Sequence, residues 1–316
     1  MIDNKTSKMF RGIAILMVIA SHFAAGMYTD SLFPVAKDLI SRFGVYGVDV
    51  FFLLSGYGLV KSAKKNGITK NFAWKRFANS YLPYILIIGF FAIIEKTVDS
   101  PKALWTLVSG ADFWFMNIIF VFYIMFMIVY KIGRFQEIFI TIAIVGYSYW
   151  MYNSGKSDFW VLSNGAFLIG IYAASLEERF GEKVKTSFNK CNITAIAFIL
   201  MMISWAAYTL KGDMWLRMCI SMSFSVLVLG ICINFKGGGI ILPVIGRYSL
   251  YIYLLHLRLF WKYVMKLVEY GWSYERIAMI SAAITITIAV AVGFAIEWNI
   301  KALSGLPDFI KSKRKQ

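Results

Sequence analysis

Histidine, cysteine and proline are scarce in this chain: two, three and five residues among 316. Carboxylates are also few, 17 Asp and Glu against 33 Lys and Arg. Each shortage excludes something. Cys191, Cys219 and Cys232 are an odd number, all in or beside apolar stretches, so a disulfide scaffold is excluded and they read as small hydrophobes. With no Cys pair at ligand spacing, two histidines and no carboxylate cluster, no metal site is expected. Charged residues make up 16% of the chain, where soluble domains carry about 25%. Apolar residues fill the difference, at 59% with a mean hydropathy of +0.65. One protein interior cannot hide that much apolar surface, so the chain has to be solvated by lipid.

A net charge of +16 raises the question of nucleic acid, but the basic residues form no single stripe and accompany no nucleic-acid motif. They fall in short gaps between apolar runs. Those runs, at about 10–29, 43–60, 81–95, 113–130, 136–152, 159–176, 192–210, 214–234, 240–262 and 277–298, each approach the length a helix needs to cross a bilayer. The expected fold is therefore all-α and polytopic, with ten transmembrane helices in a single domain over 1–316 and a basic tail at 299–316. The runs are too continuous for the alternation of a membrane β-barrel. Counting Lys and Arg in alternate gaps gives 21 on one side and 8 on the other, with four (Arg217, Arg247, Arg258 and Lys262) inside spans. That bias predicts both termini in the cytoplasm. The gaps are short, which argues against an appended soluble domain, and no internal repeat is visible.

Ionisable groups inside a bilayer are costly, and both histidines, His22 and His256, lie inside predicted spans. Arg11 and His22 are eleven residues apart, about 20° beyond three full turns, so they share one helix face about 16 Å apart along the axis. Arg11 also reads as a positive-inside anchor, and His22 as a neutral ring bonded to a nearby carbonyl. In the second span Asp49 stands about two turns from the outer end, as His22 does in the first. At matching depth the carboxylate can fix the imidazole tautomer and raise its basicity; the alternative is a surface pair with Arg42. Lys75 and Arg76 precede the third span at the level of Arg11. Such a cation cluster suits the phosphates of a polyanionic ligand, or anionic lipid headgroups. Ser249 and His256 share a face of the ninth span, which reads as helix packing or as a lining for substrate.

These residues resemble a known family. Arg11-Gly12-Ile13-Ala14 followed by Ser21-His22-Phe23 looks like the opening signature of the acyltransferase-3 family of integral-membrane acyltransferases. The resemblance continues in Gly47-Val48-Asp49-Val50-Phe51-Phe52 with Ser55-Gly56-Tyr57, in Lys75-Arg76-Phe77 leading to Tyr81-Leu82-Pro83, in Phe113-Trp114-Phe115 with Tyr123, and in Gly246 through His256. The middle of the chain, about 135–240, matches in hydropathy alone. The resemblance implies transfer of an acyl group, most often acetyl from cytoplasmic acetyl-CoA, to a sugar hydroxyl of a surface or exported glycan. It makes His22 the catalytic histidine and Asp49 its acidic companion. Arg11, Lys75 and Arg76 become donor-binding residues, and Ser55, Tyr57, Trp114, Tyr123 and His256 substrate-lining ones. Asn79 departs from the pattern, which has a second arginine there; either Lys75 substitutes for it or the donor is held differently.

The implied partners are an acyl-CoA, a glycan or lipid-linked sugar, and membrane lipids, with no nucleic acid and no permanently bound cofactor. The implied location is a cell membrane, the bacterial cytoplasmic membrane. His22 would act as general base on the acceptor hydroxyl or carry the acyl group briefly itself. The main alternative is a lipid-linked glycan flippase or small transporter, which would want polar groups along a continuous path. Here they concentrate in the first three spans.

Overall fold

The computed structural model describes residues 1–25, 34–190, 192–235, 238–260 and 270–313. All regular structure among them is helical. In chain order the helices are α1 (Asn4–Ala25), α2 (Pro34–Ser41), α3 (Phe43–Asn66), α4 (Lys70–Arg76), a π-helical turn (Phe77–Tyr81), α5 (Leu82–Ile94), α6 (Pro101–Ser109), α7 (Trp114–Ile132) and α8 (Gln136–Asn153). A 3₁₀ turn (Asp158–Trp160) leads to α9 (Asn164–Phe180), α10 (Glu182–Lys190), α11 (Ile193–Lys211), α12 (Met214–Asn234), α13 (Ile241–Arg247), α14 (Ser249–Leu259) and α15 (Tyr274–Lys313).

Among the described residues eight helical segments are long and apolar enough to cross a membrane. Two of the ten predicted spans differ. The stretch 136–152 is helical, as α8, but Tyr147, Tyr149, Tyr152 and its polar ends lower its hydropathy. The stretch 240–262 is not one helix: it breaks at Tyr248, whose φ of −98° and ψ of 14° leave the helical region, giving α13 and α14. Residues 26–29 of the predicted first span and 261–262 of the ninth lie outside the described residues. The protein is thus an all-α polytopic membrane protein.

Local sequence explains the ends. Asp3 caps α1, its Oδ1 accepting the Thr6 N–H at 2.7 Å. Ser100 caps α6 in the same way, with Pro101 in the first turn. The π turn sits between Arg76 and Pro83, where the Leu82 N–H reaches back five residues to the Phe77 carbonyl. Such single-turn bulges concentrate at functional sites.

The chain forms two compact units. The first comprises 1–75 and 98–247 and is built around α3, which packs against α1, α9 and α12. The helices meet through glycine. A methyl on Gly56 would lie 2.2 Å from the Phe167 carbonyl oxygen, and one on Gly170 2.0 Å from that of Leu53, so the α3 and α9 backbones touch. Phe52 fills the space beside this seam, ringed by Phe115, Phe122 and Phe167. Helix α11 lies against α12 and buries only 6% of its apolar window, the signature of a helix turned to lipid.

The second unit comprises 76–97 and 248–316. In it α14 packs against α15 and α5, and Gly293 of α15 admits the rings of Tyr248 and Tyr251. Arg258 is paired with Glu95 at 2.6 Å and lies 5.0 Å from the Phe91 ring centroid.

Candidate active site

Helix α1 carries the two residues that the sequence singles out first. Arg11 and His22 are both half-buried on it. His22 falls in the last turn, where the helix carbonyls run out, and Arg11 two turns from the start. One continuous helix therefore fixes the cation and the imidazole about 16 Å apart on one face.

Gly47 of α3 is pressed against the Ala14 carbonyl and Val18, while Gly44 faces Ser21. These contacts set an antiparallel register in which Asp49 is level with residue 15 of α1. His22 is then seven residues, or about 10 Å, nearer the other end of the bundle. Asp49 is also two residues beyond Gly47, so its side chain is turned by about 200° from the α1 face. The matched depth expected from the spans is therefore corrected: counting from helix ends ignores the tilt and offset that the glycine contacts impose. Asp49 is fully buried and faces α12, whose Ser221 hydroxyl donates to its Oδ1 at 2.6 Å, with the Ser163 hydroxyl beside it. Nor does Arg42 pair with it, because Arg42 binds Asp38 at 3.0 Å.

The remaining residues divide between the units. Lys75 is exposed at the end of the first, and Arg76 is half-buried at the start of the second, beside the π turn that holds Asn79. Ser55 on α3 and Tyr123 on α7 are half-buried. Tyr57 is buried, and its hydroxyl donates to Glu177 of α9 while accepting the Ile2 N–H at 3.0 Å. Its hydroxyl thereby joins the segment before α1 to α3 and α9. Trp114 opens α7 and stacks on Phe159, ring centroids 6.0 Å apart. His256, wholly buried in the second unit, donates from Nδ1 to the Tyr253 carbonyl at 2.7 Å, which fixes the proton on that nitrogen.

Sequence reasoning passed over several participants. The cations placed inside spans are now accounted for, except Lys262, which lies outside the described residues. Arg217 pairs with Asp158 at 2.9 Å, and Arg258 pairs with Glu95. Arg247 is exposed at the end of α13. It follows Gly246, where a methyl would sit 1.7 Å from the Lys8 carbonyl oxygen; Gly12 in turn abuts the Leu242 carbonyl. The α13 backbone is thus clamped to α1 across Lys8–Gly12, and Arg247 is carried to the end of α1 that bears Arg11. The small residues Gly12 and Gly246 were the available signal. Among the described residues no group of His, Cys, Asp and Glu is arranged to hold a metal ion.

Neither a curated protein nor a solved structure matches the chain. A family model does: the acyltransferase domain Acyl_transf_3 matches residues 6–296, nearly the whole length and both units. The chain belongs to the acyltransferase-3 family and is a membrane acyltransferase.

Proposed function

We propose that the protein moves an acyl group, acetyl in the simplest case, from a CoA thioester in the cytoplasm to a sugar hydroxyl of a surface or exported glycan. The observation that carries this reading is α1 itself. It presents cations at one end and a half-buried imidazole in its last turn, inside a chain whose family transfers acyl groups. The clustering of Lys5, Lys8 and Arg11 at the start of α1 supports a cytoplasmic placement of that end.

Arg11, with Lys8 and the Arg247 clamped beside it, would hold the phosphates of the donor, since guanidinium groups grip phosphate through paired N–H bonds. Lys75, exposed in the same unit, would supply a further cation. The thioester arm then runs along α1 toward His22. His22 removes the proton from the acceptor hydroxyl as its oxygen attacks the thioester carbonyl; the C–S bond breaks, CoA leaves as the thiolate, and the imidazolium returns the proton to sulfur. Asp49 serves this centre at a distance, by holding α3 to α12.

The test compares ester content of the surface glycan in a deletion strain complemented with wild type or with His22→Ala at equal membrane abundance. Esters restored by wild type and reduced at least a hundredfold with His22→Ala are the expected result. Full restoration by His22→Ala would remove the catalytic assignment. Unchanged esters with altered glycan export would favour the flippase.

A further inference from the structure

A cavity of about 370 Å³ opens in the first unit at the end of the bundle where α1 finishes. The end of α2, the starts of α3 and α12, the end of α11 and the stretch from the 3₁₀ turn to α9 surround it. Nothing in the acyl-transfer chemistry above uses it. Four rings, Tyr46, Phe159, Trp205 and Tyr208, give it flat apolar walls, and Arg42 and Arg217 give it donors. Flat rings beside planar polar groups suit a pyranose, whose C–H face stacks while its rim of hydroxyls bonds.

The charge balance decides between a neutral and an anionic ligand. Arg42 is matched by Asp38 at 3.0 Å and Arg217 by Asp158 at 2.9 Å, so each guanidinium already has its own carboxylate. Such pairs offer neighbouring donors and acceptors, which a hydroxyl satisfies at once because it is both. An anion would have to compete with the resident carboxylates. Arg217 is further held 5.8 Å from the Tyr208 ring centroid, stiffening both.

The cavity is also tied to the reacting end of α1. Ser41 lines it, and the Ser41 carbonyl accepts the Ser21 hydroxyl at 2.5 Å, so its wall is one residue from His22 along the helix. Its floor includes Ser221, whose hydroxyl is bound to Asp49. We propose that this cavity is the acceptor subsite and holds one neutral sugar residue of the glycan, with Tyr208 as the stacking platform and Arg217 as the principal donor to its hydroxyls. The identification of the sugar as acceptor rests on the acyl-transfer reading; the presence of a sugar site does not.

The experiment titrates the purified full chain in detergent and follows tryptophan fluorescence, to which Trp205 reports. The neutral probes are methyl β-glucopyranoside and methyl N-acetyl-β-glucosaminide; the anionic probes are glucuronate and sn-glycerol 3-phosphate. Saturable quenching by a neutral glycoside is expected, lost with Trp205→Phe. Tyr208→Ala and Arg217→Gln should each weaken it roughly tenfold, while Tyr208→Phe retains it. Three results would overturn the proposal: no saturation by either glycoside up to about 50 mM, an affinity indifferent to Tyr208→Ala, or saturation by the anions alone, which would mark a site for phosphate or carboxylate headgroups. The two readings separate cleanly. Tyr208-dependent binding with esters intact in the His22→Ala strain leaves a sugar site without the transfer chemistry. Esters lost in that strain with binding indifferent to Tyr208 leaves the chemistry without this subsite.

Discussion

Adding one methyl group to α3 at Gly56 is expected to act very differently from adding it at Gly58, a little over half a turn further on. At Gly56 the new carbon would lie 2.2 Å from the Phe167 carbonyl oxygen and 3.2 Å from the Ile171 nitrogen, both backbone atoms. Ordinary contact begins at 3.4 Å, so α3 and α9 must part by about 1.2 Å at their crossing. No side chain can give way instead. Separation there also strains the Tyr57 and Lys61 bonds to Glu177 and Glu178 one to two turns below. Overpacking of this kind costs about 1–3 kcal/mol, occasionally more, which for a unit of this size lowers Tm by roughly 2–12 °C. At Gly58 nothing lies within 4 Å. Alanine there removes the helix penalty of glycine, about 0.5–1 kcal/mol, so Gly58→Ala should hold Tm or raise it slightly. Thermal unfolding of both variants in one detergent, followed by dye labelling of Cys232, which is buried in the folded state, measures the difference. Equal melting temperatures, or a Gly58→Ala variant the less stable of the two, would refute the backbone contact between α3 and α9.

Arg247→Gln should raise KM for the acyl-CoA about tenfold with kcat nearly unchanged, because it removes charge-assisted bonds to phosphate and not a reacting group; steady-state kinetics over a range of donor concentrations checks the split. Ser221→Ala should destabilise the first unit by about 1–3 kcal/mol, since it removes a hydrogen-bond donor from a buried carboxyl group, and adding Asp49→Leu should recover much of that loss in the same melting assay, as the under-satisfied polar group is removed. The Thr6 N–H holds the Asp3 carboxyl below the usual carboxylate range, so this cap is fully formed above the ordinary pKa of the side chain and is lost as pH falls through the lowered folded value. Hydrogen exchange over the first turn of α1 should accordingly show protection that collapses at acidic pH in the wild type and a pH-independent, weaker protection in Asp3→Asn.

Hydropathy made the helices legible, and a periodicity of 3.6 residues made the shared face of Arg11 and His22 legible, because both belong to one continuous helix. Rotation and offset between helices are another matter. Asp49 stands out in the sequence by its charge, yet its direction depends on Gly47 seating on α1, and its partner Ser221 lies 172 residues away. No local pattern encodes that distance. Tyr57 likewise stands in a motif, but its partner Glu177 lies 120 residues away on another helix. Hydropathy does not show the break at Tyr248, because a run of apolar residues has the same hydropathy whether it forms one helix or two. In each case the information sat in small residues, Gly12, Gly47, Gly56, Gly170 and Gly246, whose partners are carbonyls or side chains of other helices.

Those glycines also explain why α3, and not the histidine helix, organises the first unit. On one face Gly47 locks α3 to α1; further along, Gly56 locks it to α9; on the side away from α1, Asp49 reaches Ser221 of α12. Each contact fixes a different degree of freedom. The two glycine seams set axial offset and closest approach, since backbone atoms cannot repack around a misplaced helix. The buried hydrogen bond sets rotation, because Asp49 meets Ser221 over only a narrow range of helix azimuth and a buried carboxylate left without donors is costly. The same azimuth turns Tyr46, three residues before Asp49, into the wall of the cavity above it. A carboxylate deep in the bundle thus positions an aromatic wall one turn nearer its surface, while α1, indexed by the same helix, joins the cavity wall through the Ser21 hydroxyl and the Ser41 carbonyl, one residue before His22. On the proposed function such indexing matters: a donor held at the start of α1 and an acceptor at its end would share no residues, and rigid helices between them would keep the imidazole in reach of both.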